Sequence, residues 1–184
     1  EIFVGTGDAV PLWRALLIAG EPHGLRPCGL AARDAARTEA GLPLYGHELA
    51  GPLAISPHEA GFGAYVKFHK PFFVGREAAL RAAQESKRRL VRFRVDESGV
   101  RPLRGGEPVY NKRGQLVGHV TSCTAIETEQ VGMALVDSRY TQPGTPLAII
   151  PAGVAQESAS SPATIALPIW ARVVPRFLER ERSK

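Results

Sequence analysis

The apolar positions at the start of the chain fall at helical spacing. Val10, Trp13, Leu16 and Leu17 share one face. Asp8 ahead of them has N-cap chemistry, Pro11 is tolerated in a first turn, and Gly20 offers a stop. The pattern predicts a helix between Asp8 and Gly20, after a short strand over Glu1–Val4 that reads as entered midway, as in a fragment or a processed chain. A second, Ala-rich helix is predicted from about Leu30 to Ala40, with Gly41 as its stop. Arg33 and Arg37 fall on one face of it at i, i+4. Residues 42–75 are punctuated by Gly and Pro and read as loops around a short strand, Ala64–Phe68. Arg76 to Ser86 reads as a third helix.

The period changes near Lys87. Val91, Phe93 and Val95 alternate with Arg92 and Arg94, the pattern of a half-buried strand with the arginines on its solvent side. Further strands are predicted at 108–110, 115–122, 130–136, 146–150 and 163–167. The turn Asn111-Lys112-Arg113-Gly114 joins the second and third as a hairpin. Six short strands at this spacing predict a small antiparallel barrel of jelly-roll type. The expected class is α+β. The end of an α/β domain occupies residues 1–86 and a β-barrel domain occupies 87–184.

Composition narrows the class. With 184 residues and 44% hydrophobic side chains, the chain can bury a core, which argues against global disorder. No apolar run approaches the roughly 20 residues of a spanning helix. Cys28 and Cys123 lie far apart and form no CxxC pair, which suits two reduced thiols in a reducing compartment, cytoplasmic or mitochondrial. The net charge of +5 sits entirely in residues 85–184, which hold 15 Lys/Arg against 10 Asp/Glu. It begins at Lys87, Arg88, Arg89, Arg92 and Arg94 and returns at Arg172, Arg176, Arg180 and Arg182. Such a half could meet nucleic acid or an anionic cofactor tail, or be a solvated strand face and a charged tail.

The chemistry-bearing residues exclude several classes. His47-Glu48 and His58-Glu59 repeat a dipeptide, but neither extends to HExxH, and no His/Cys cluster has zinc spacing, so no metal site is expected. Gly5-Thr6-Gly7-Asp8 is too short for a phosphate loop. No serine stands in a nucleophile elbow, and neither cysteine has a neighbouring His. What remains is Glu1 on an apolar strand, Arg33 and Arg37 on one helix face, and Tyr45, His47 and Glu48 in one loop. A carboxylate can take two parallel N–H donors from a flat heterocycle, and a guanidinium can grip a carbonyl or carboxylate. Two readings stay open on these residues: a site for a planar ligand with amide-like edges, or an Arg–Glu pair that pins the loop onto the helix.

The stretch GLAARDAARTEAGLPLYGHEL (Gly29–Leu49) is similar to a segment of glycine cleavage T-proteins. The resemblance continues through ISPHEAGFGAYVKFHKPFFVGREAAL (Ile55–Leu80), with its Pro-x-Glu-Ala-Gly turn, and GEPVYNKRGQLVGHVTSCT (Gly105–Thr124). It implies a three-domain enzyme around tetrahydrofolate, with two α/β domains and a C-terminal barrel. It implies an aminomethyltransferase that takes its one-carbon unit from the lipoyl arm of a carrier, the H-protein, and releases ammonia. Glu1 matches the glutamate that grips the pterin, Arg33 matches the Arg of Ala-Arg-Asp that contacts folate, and Trp170 stands where an aromatic contacts the cofactor. The family's acidic catalytic residue belongs to the first domain, so no catalytic residue is expected here, and the chain by itself is expected to be inactive. The chain departs from the family at Cys123, where many members have Gly in Thr-Ser-Gly, and this predicts an altered turn.

The same scaffold leaves two alternatives. One is the folate end of a demethylase or of a flavin-dependent sarcosine or dimethylglycine oxidising enzyme. The other is a non-catalytic relative in iron–sulfur assembly or RNA binding. The basic run around Arg88–Arg94 lacks the interleaved aromatics that stack bases, which counts against RNA.

Overall fold

A computed structural model describes residues 2–49, 51–151 and 167–175. Two compact units divide the chain, residues 1–34 and residues 35–184.

In the first unit the helix α1 spans Ala9–Gly20, with Asp8 at its N-cap position as the sequence predicts. The Asp8 side chain makes no capping bond, and the helix is followed by a single 3-10 turn at Glu21–His23. Ile2–Val4 form no ladder, so the predicted strand is not there. A strand is held by bonds to a neighbour, and the described part of this unit offers none. The helix α2, Leu30–Glu39, begins in this unit and ends in the second.

The second unit is built on a closed antiparallel barrel in the order β1-β4-β3-β2-β5-β6. Its strands are β1 Arg88–Val95, β2 Pro108–Tyr110, β3 Leu116–Ile126, β4 Glu129–Asp137, β5 Pro146–Ile149 and β6 Ile169–Val174. β6 pairs with both β5 and β1, which closes the ring and leaves no free edge. The sixth strand lies beyond the predicted 163–167: residues 163–166 fall outside the described residues, and Leu167 is in no strand. The predicted hairpin is present, with Gly114 at φ 71° closing the turn between β2 and β3. The predicted third helix is present as α3, Arg76–Glu85.

The barrel interior is apolar, as the alternation in β1 predicts. Val91, Phe93 and Val95 meet Val109, Leu147 and Ile149 there. The outer face is not uniformly wet. Ile55, Ala60 and Leu135 form a second cluster with Leu49, Leu53, Phe62 and Leu90. The loop residues Leu49, Leu53, Ile55, Ala60 and Phe62 therefore lie on the outside of β1 and β4, against Leu90 and Leu135, and β4 is buried from Gln130 to Val136 without alternation. Arg92 is 3% exposed and so is not on a solvated face, which corrects the reading of that position.

Ala64–Phe68 is not a strand. Gly63–Tyr65 is a 3-10 turn, Phe62 and Tyr65 place their rings 5.8 Å apart, and Lys67 Nζ donates back to the Ala64 carbonyl at 2.7 Å. These local contacts fold the segment on itself, and no strand among the described residues pairs with it.

Candidate functional site

The most constrained polar cluster of the second unit joins three distant segments. Arg37 projects from the last turn of α2, Glu48 from the loop that follows, and Ser122 from β3. Arg37 Nη1 donates to Glu48 Oε2 at 3.0 Å, and Arg37 Nη2 donates to Ser122 Oγ at 2.9 Å. The Leu44 amide donates to Glu48 Oε2 at 2.9 Å, and the Ser122 hydroxyl donates to Glu48 Oε1. Glu48 is completely buried. Burial pushes its pKa up, but the Leu44 amide, the Ser122 hydroxyl and the Arg37 charge together hold it below the usual carboxylate range. The carboxylate is ionised and saturated with donors, so it is an anchor and not a proton acceptor in waiting.

Ser122 reaches this cluster through an irregularity in β3. The register shifts between Val120 and Ser122. Without the shift Ser122 would share the inward face of Val120; the extra residue, Thr121, turns Ser122 outward and lets Cys123 pack against the interior. Cys123 therefore sits within β3, opposite Gly132, and not in a turn, so the expected change of turn does not arise. Burial pushes the Cys123 thiol up to about 11, which keeps it protonated and unreactive at neutral pH.

A second buried carboxylate, Glu59, fastens the turn of the Pro-x-Glu-Ala-Gly segment. It accepts from the Ser56 amide at 2.8 Å, the Ser86 hydroxyl at 2.7 Å and Arg88 Nε at 3.0 Å. Burial raises its pKa, and these donors outweigh burial and lower it. A third, Glu107, takes the Arg104 amide at 3.0 Å and pairs with Arg101. Both His-Glu dipeptides thus spend their glutamates inside the fold. His47 is exposed, and His58 Nε2 lies 2.7 Å from Arg89 Nη2.

The second of the two sequence readings is therefore present in the structure, as an Arg–Glu pair that pins the loop onto the helix, and it is Arg37 that makes it. Ser122 was missed because its partners lie 74 and 85 residues away and no local pattern marks it. Glu59 was missed although Ser56-x-x-Glu59 has capping-box spacing and the two residues do bond; its other partners lie 27 and 29 residues away. The remaining candidates stand elsewhere. Glu1 lies outside the described residues. Arg33 is exposed on α2 within the first unit. Trp170 is 37% exposed on the outward face of β6 in the second unit, where its amide donates to Glu97 Oε1 at 3.5 Å. Near the Glu48 loop, His47, Leu53, Gly105, His119 and Thr121 line an open groove of about 430 Å³. No helix among the described residues is long and apolar enough to cross a membrane.

Comparison with known proteins places these features. Residues 1–70 match the GCVT N-terminal domain, and residues 88–168 match the glycine cleavage T-protein C-terminal barrel domain. The chain is 42% identical to an aminomethyltransferase of Caldanaerobacter subterraneus subsp. tengcongensis, over 82% of this chain and 40% of that protein. It is 46% identical to an aminomethyltransferase of Streptomyces coelicolor, over 79% of this chain and 40% of that protein. It superposes on the crystal structure of glycine cleavage system aminomethyltransferase T from Bartonella henselae with a TM-score of 0.72 and 26% identity, over 92% of this chain and 43% of the other. The chain spans about two fifths of the length of the curated relatives it matches. With both segments of one protein matched in their order, and with the barrel closed where the second segment falls, the chain belongs to the glycine cleavage T-protein family.

Proposed function

We propose that this chain is part of a tetrahydrofolate-dependent aminomethyltransferase, one that passes a one-carbon unit from a lipoyl-bound aminomethyl group to tetrahydrofolate with release of ammonia. The observation that carries this reading is that relatives 40 to 47% identical to the chain are aminomethyltransferases. In the proposed division, residues 1–86 end the folate-binding α/β domain and 87–184 form the barrel domain. Tetrahydrofolate supplies the nitrogen that receives the carbon. This chain's part is to bind and orient: Glu1 and Arg33 hold the cofactor and Trp170 offers an aromatic face, while the H-protein is the proposed donor partner. The exposure of Arg33 fits this role, because its guanidinium forms no ion pair among the described residues and remains available to a ligand. Trp170, with part of its ring uncovered, fits likewise.

Arg33→Ala in the intact protein tests the assignment by calorimetric titration with tetrahydrofolate. A lost charged hydrogen bond of about 1.5–3 kcal/mol corresponds to affinity weakened by roughly one to two orders of magnitude. Arg33→Ala should leave the melting temperature close to that of the parent, because the side chain is exposed. Unchanged affinity would remove Arg33 from the site.

A further inference from the structure

Arg92 is the one buried guanidinium among the described residues that has orphaned donors. Its Nε and Nη2 are buried and make no hydrogen bond. Those two N–H groups form one edge of the guanidinium, and they point in parallel from the same side. That edge is the fork that takes both oxygens of a carboxylate at once. Burying such a fork without a partner costs more than leaving a neutral group unsatisfied, so the position calls for an anion.

The surroundings say what kind. Arg92 sits on the outer side of β1, opposite Met133 of β4 and Val174 of β6. It lines a cavity of about 320 Å³, large enough for a small organic molecule. The walls are mostly apolar, with Leu90, Met133, Pro143, Val173 and Pro175 among them, and among the described residues no carboxylate lies in the lining. The other lining cation, Arg89, is already engaged with the Arg88 carbonyl and His58. Burial lowers the pKa of Arg92; Glu39, acting at a distance, opposes this, and Arg94 adds to it. Glu39 forms no ion pair with Arg92, so it relieves the charge without filling the fork.

We propose that this cavity is a binding site for a small monocarboxylic acid with an apolar body, its body against Leu90, Met133 and Val173 and its carboxylate taken side-on by the Nε–Nη2 edge of Arg92, which is sealed from solvent in this structure and must turn toward the ligand. The site is independent of the one-carbon reading, since it uses none of Glu1, Arg33 or Trp170.

The test is a titration of the full chain with benzoate, followed through the Arg92 Nε–H resonance and the amides of Leu90, Met133 and Val174. Benzoate should shift these signals saturably, and benzamide, of the same shape without the charge, should bind at least tenfold more weakly. Arg92→Met should abolish the response while its thermal midpoint stays at or above that of the parent. Arg92→Lys keeps the charge without the fork and should bind at least tenfold more weakly than the parent. Equal responses to benzoate and benzamide would overturn the proposal, and so would benzoate binding that survives in both variants. Inorganic phosphate binding more tightly than benzoate would overturn the carboxylate assignment.

Discussion

Replacing Glu48 by Ala is expected to cost about 3–5 kcal/mol of unfolding free energy, because it breaks a buried ion pair by removing one of its members. Arg37, 9% exposed, loses the Glu48 carboxylate, and Ser122 and the Leu44 amide lose their acceptor. Glu48→Gln should cost less than Ala, since the amide oxygen can still accept from Leu44 or Ser122, but it removes the negative charge that faces Arg37 Nη1. Urea unfolding of the full chain measures both, and a loss below about 1 kcal/mol for the Ala variant would mean that the cluster is not the anchor its geometry describes. The pH dependence follows with a definite sign. Glu48 and Glu59 have folded pKa values below the ordinary carboxylate value, and Asp137, through the Arg139 side chain beside it, is held down to about 2. Their contribution is fully present above the unfolded value near pH 4, and it is lost as pH falls through the folded values. Stability should therefore be level in these groups near neutrality and fall in acid. The acid slope should be shallower in Glu48→Gln, with the contributions of Glu59 and Asp137 still visible.

The features that were legible in the sequence are local ones. The helical spacing of Val10, Trp13, Leu16 and Leu17 predicts α1, and the alternation of Val91, Phe93 and Val95 predicts which face of β1 enters the barrel. The features that were not legible depend on what a distant segment does. Alternation assigns Arg92 to the outer face but cannot say that this face is buried there, beside Leu90 and Leu135 on which the loop residues Ile55 and Ala60 pack. The shift at Thr121 reverses the facing of Ser122, and no composition signal marks it. Ile169, Ala171 and Val173 alternate inward along β6, yet 163–167 carries a similar apolar texture, so the pattern does not single out 169–174 as a strand. Arg33 and Arg37 look equivalent on a helical wheel. The structure distinguishes them: Arg37, in the last turn of α2, is buried on Glu48, and Arg33 is exposed. For the candidate site, the residue types were readable from the sequence, but the assignment of each to structure or to ligand was not.

Phe93→Ala is expected to cost a comparable amount, about 3–5 kcal/mol, as the removal of a fully buried aromatic ring from the barrel interior. The more informative experiment couples it to Gly132, its cross-strand partner. A Cβ at Gly132 would stand 2.5 Å from Phe93 Cζ and 2.5 Å from the Ser122 carbonyl oxygen. The ring can tilt, but the carbonyl belongs to the β3–β4 ladder and can yield only if the strands part. Gly132→Ala should therefore cost about 1–3 kcal/mol, the usual range for overpacking. Phe93→Leu should recover only part of that loss, since it removes the ring contact and leaves the carbonyl contact. The carbonyl is that of the residue whose hydroxyl binds Glu48, so strain at Gly132 should also loosen the anchor. In a double-mutant cycle, Glu48→Ala should then cost less in the Gly132→Ala background than in the parent chain. Full rescue by Phe93→Leu, or strict additivity with Glu48→Ala, would show that β3 adjusts freely and that the barrel and the loop on its outer face are not mechanically joined through Ser122.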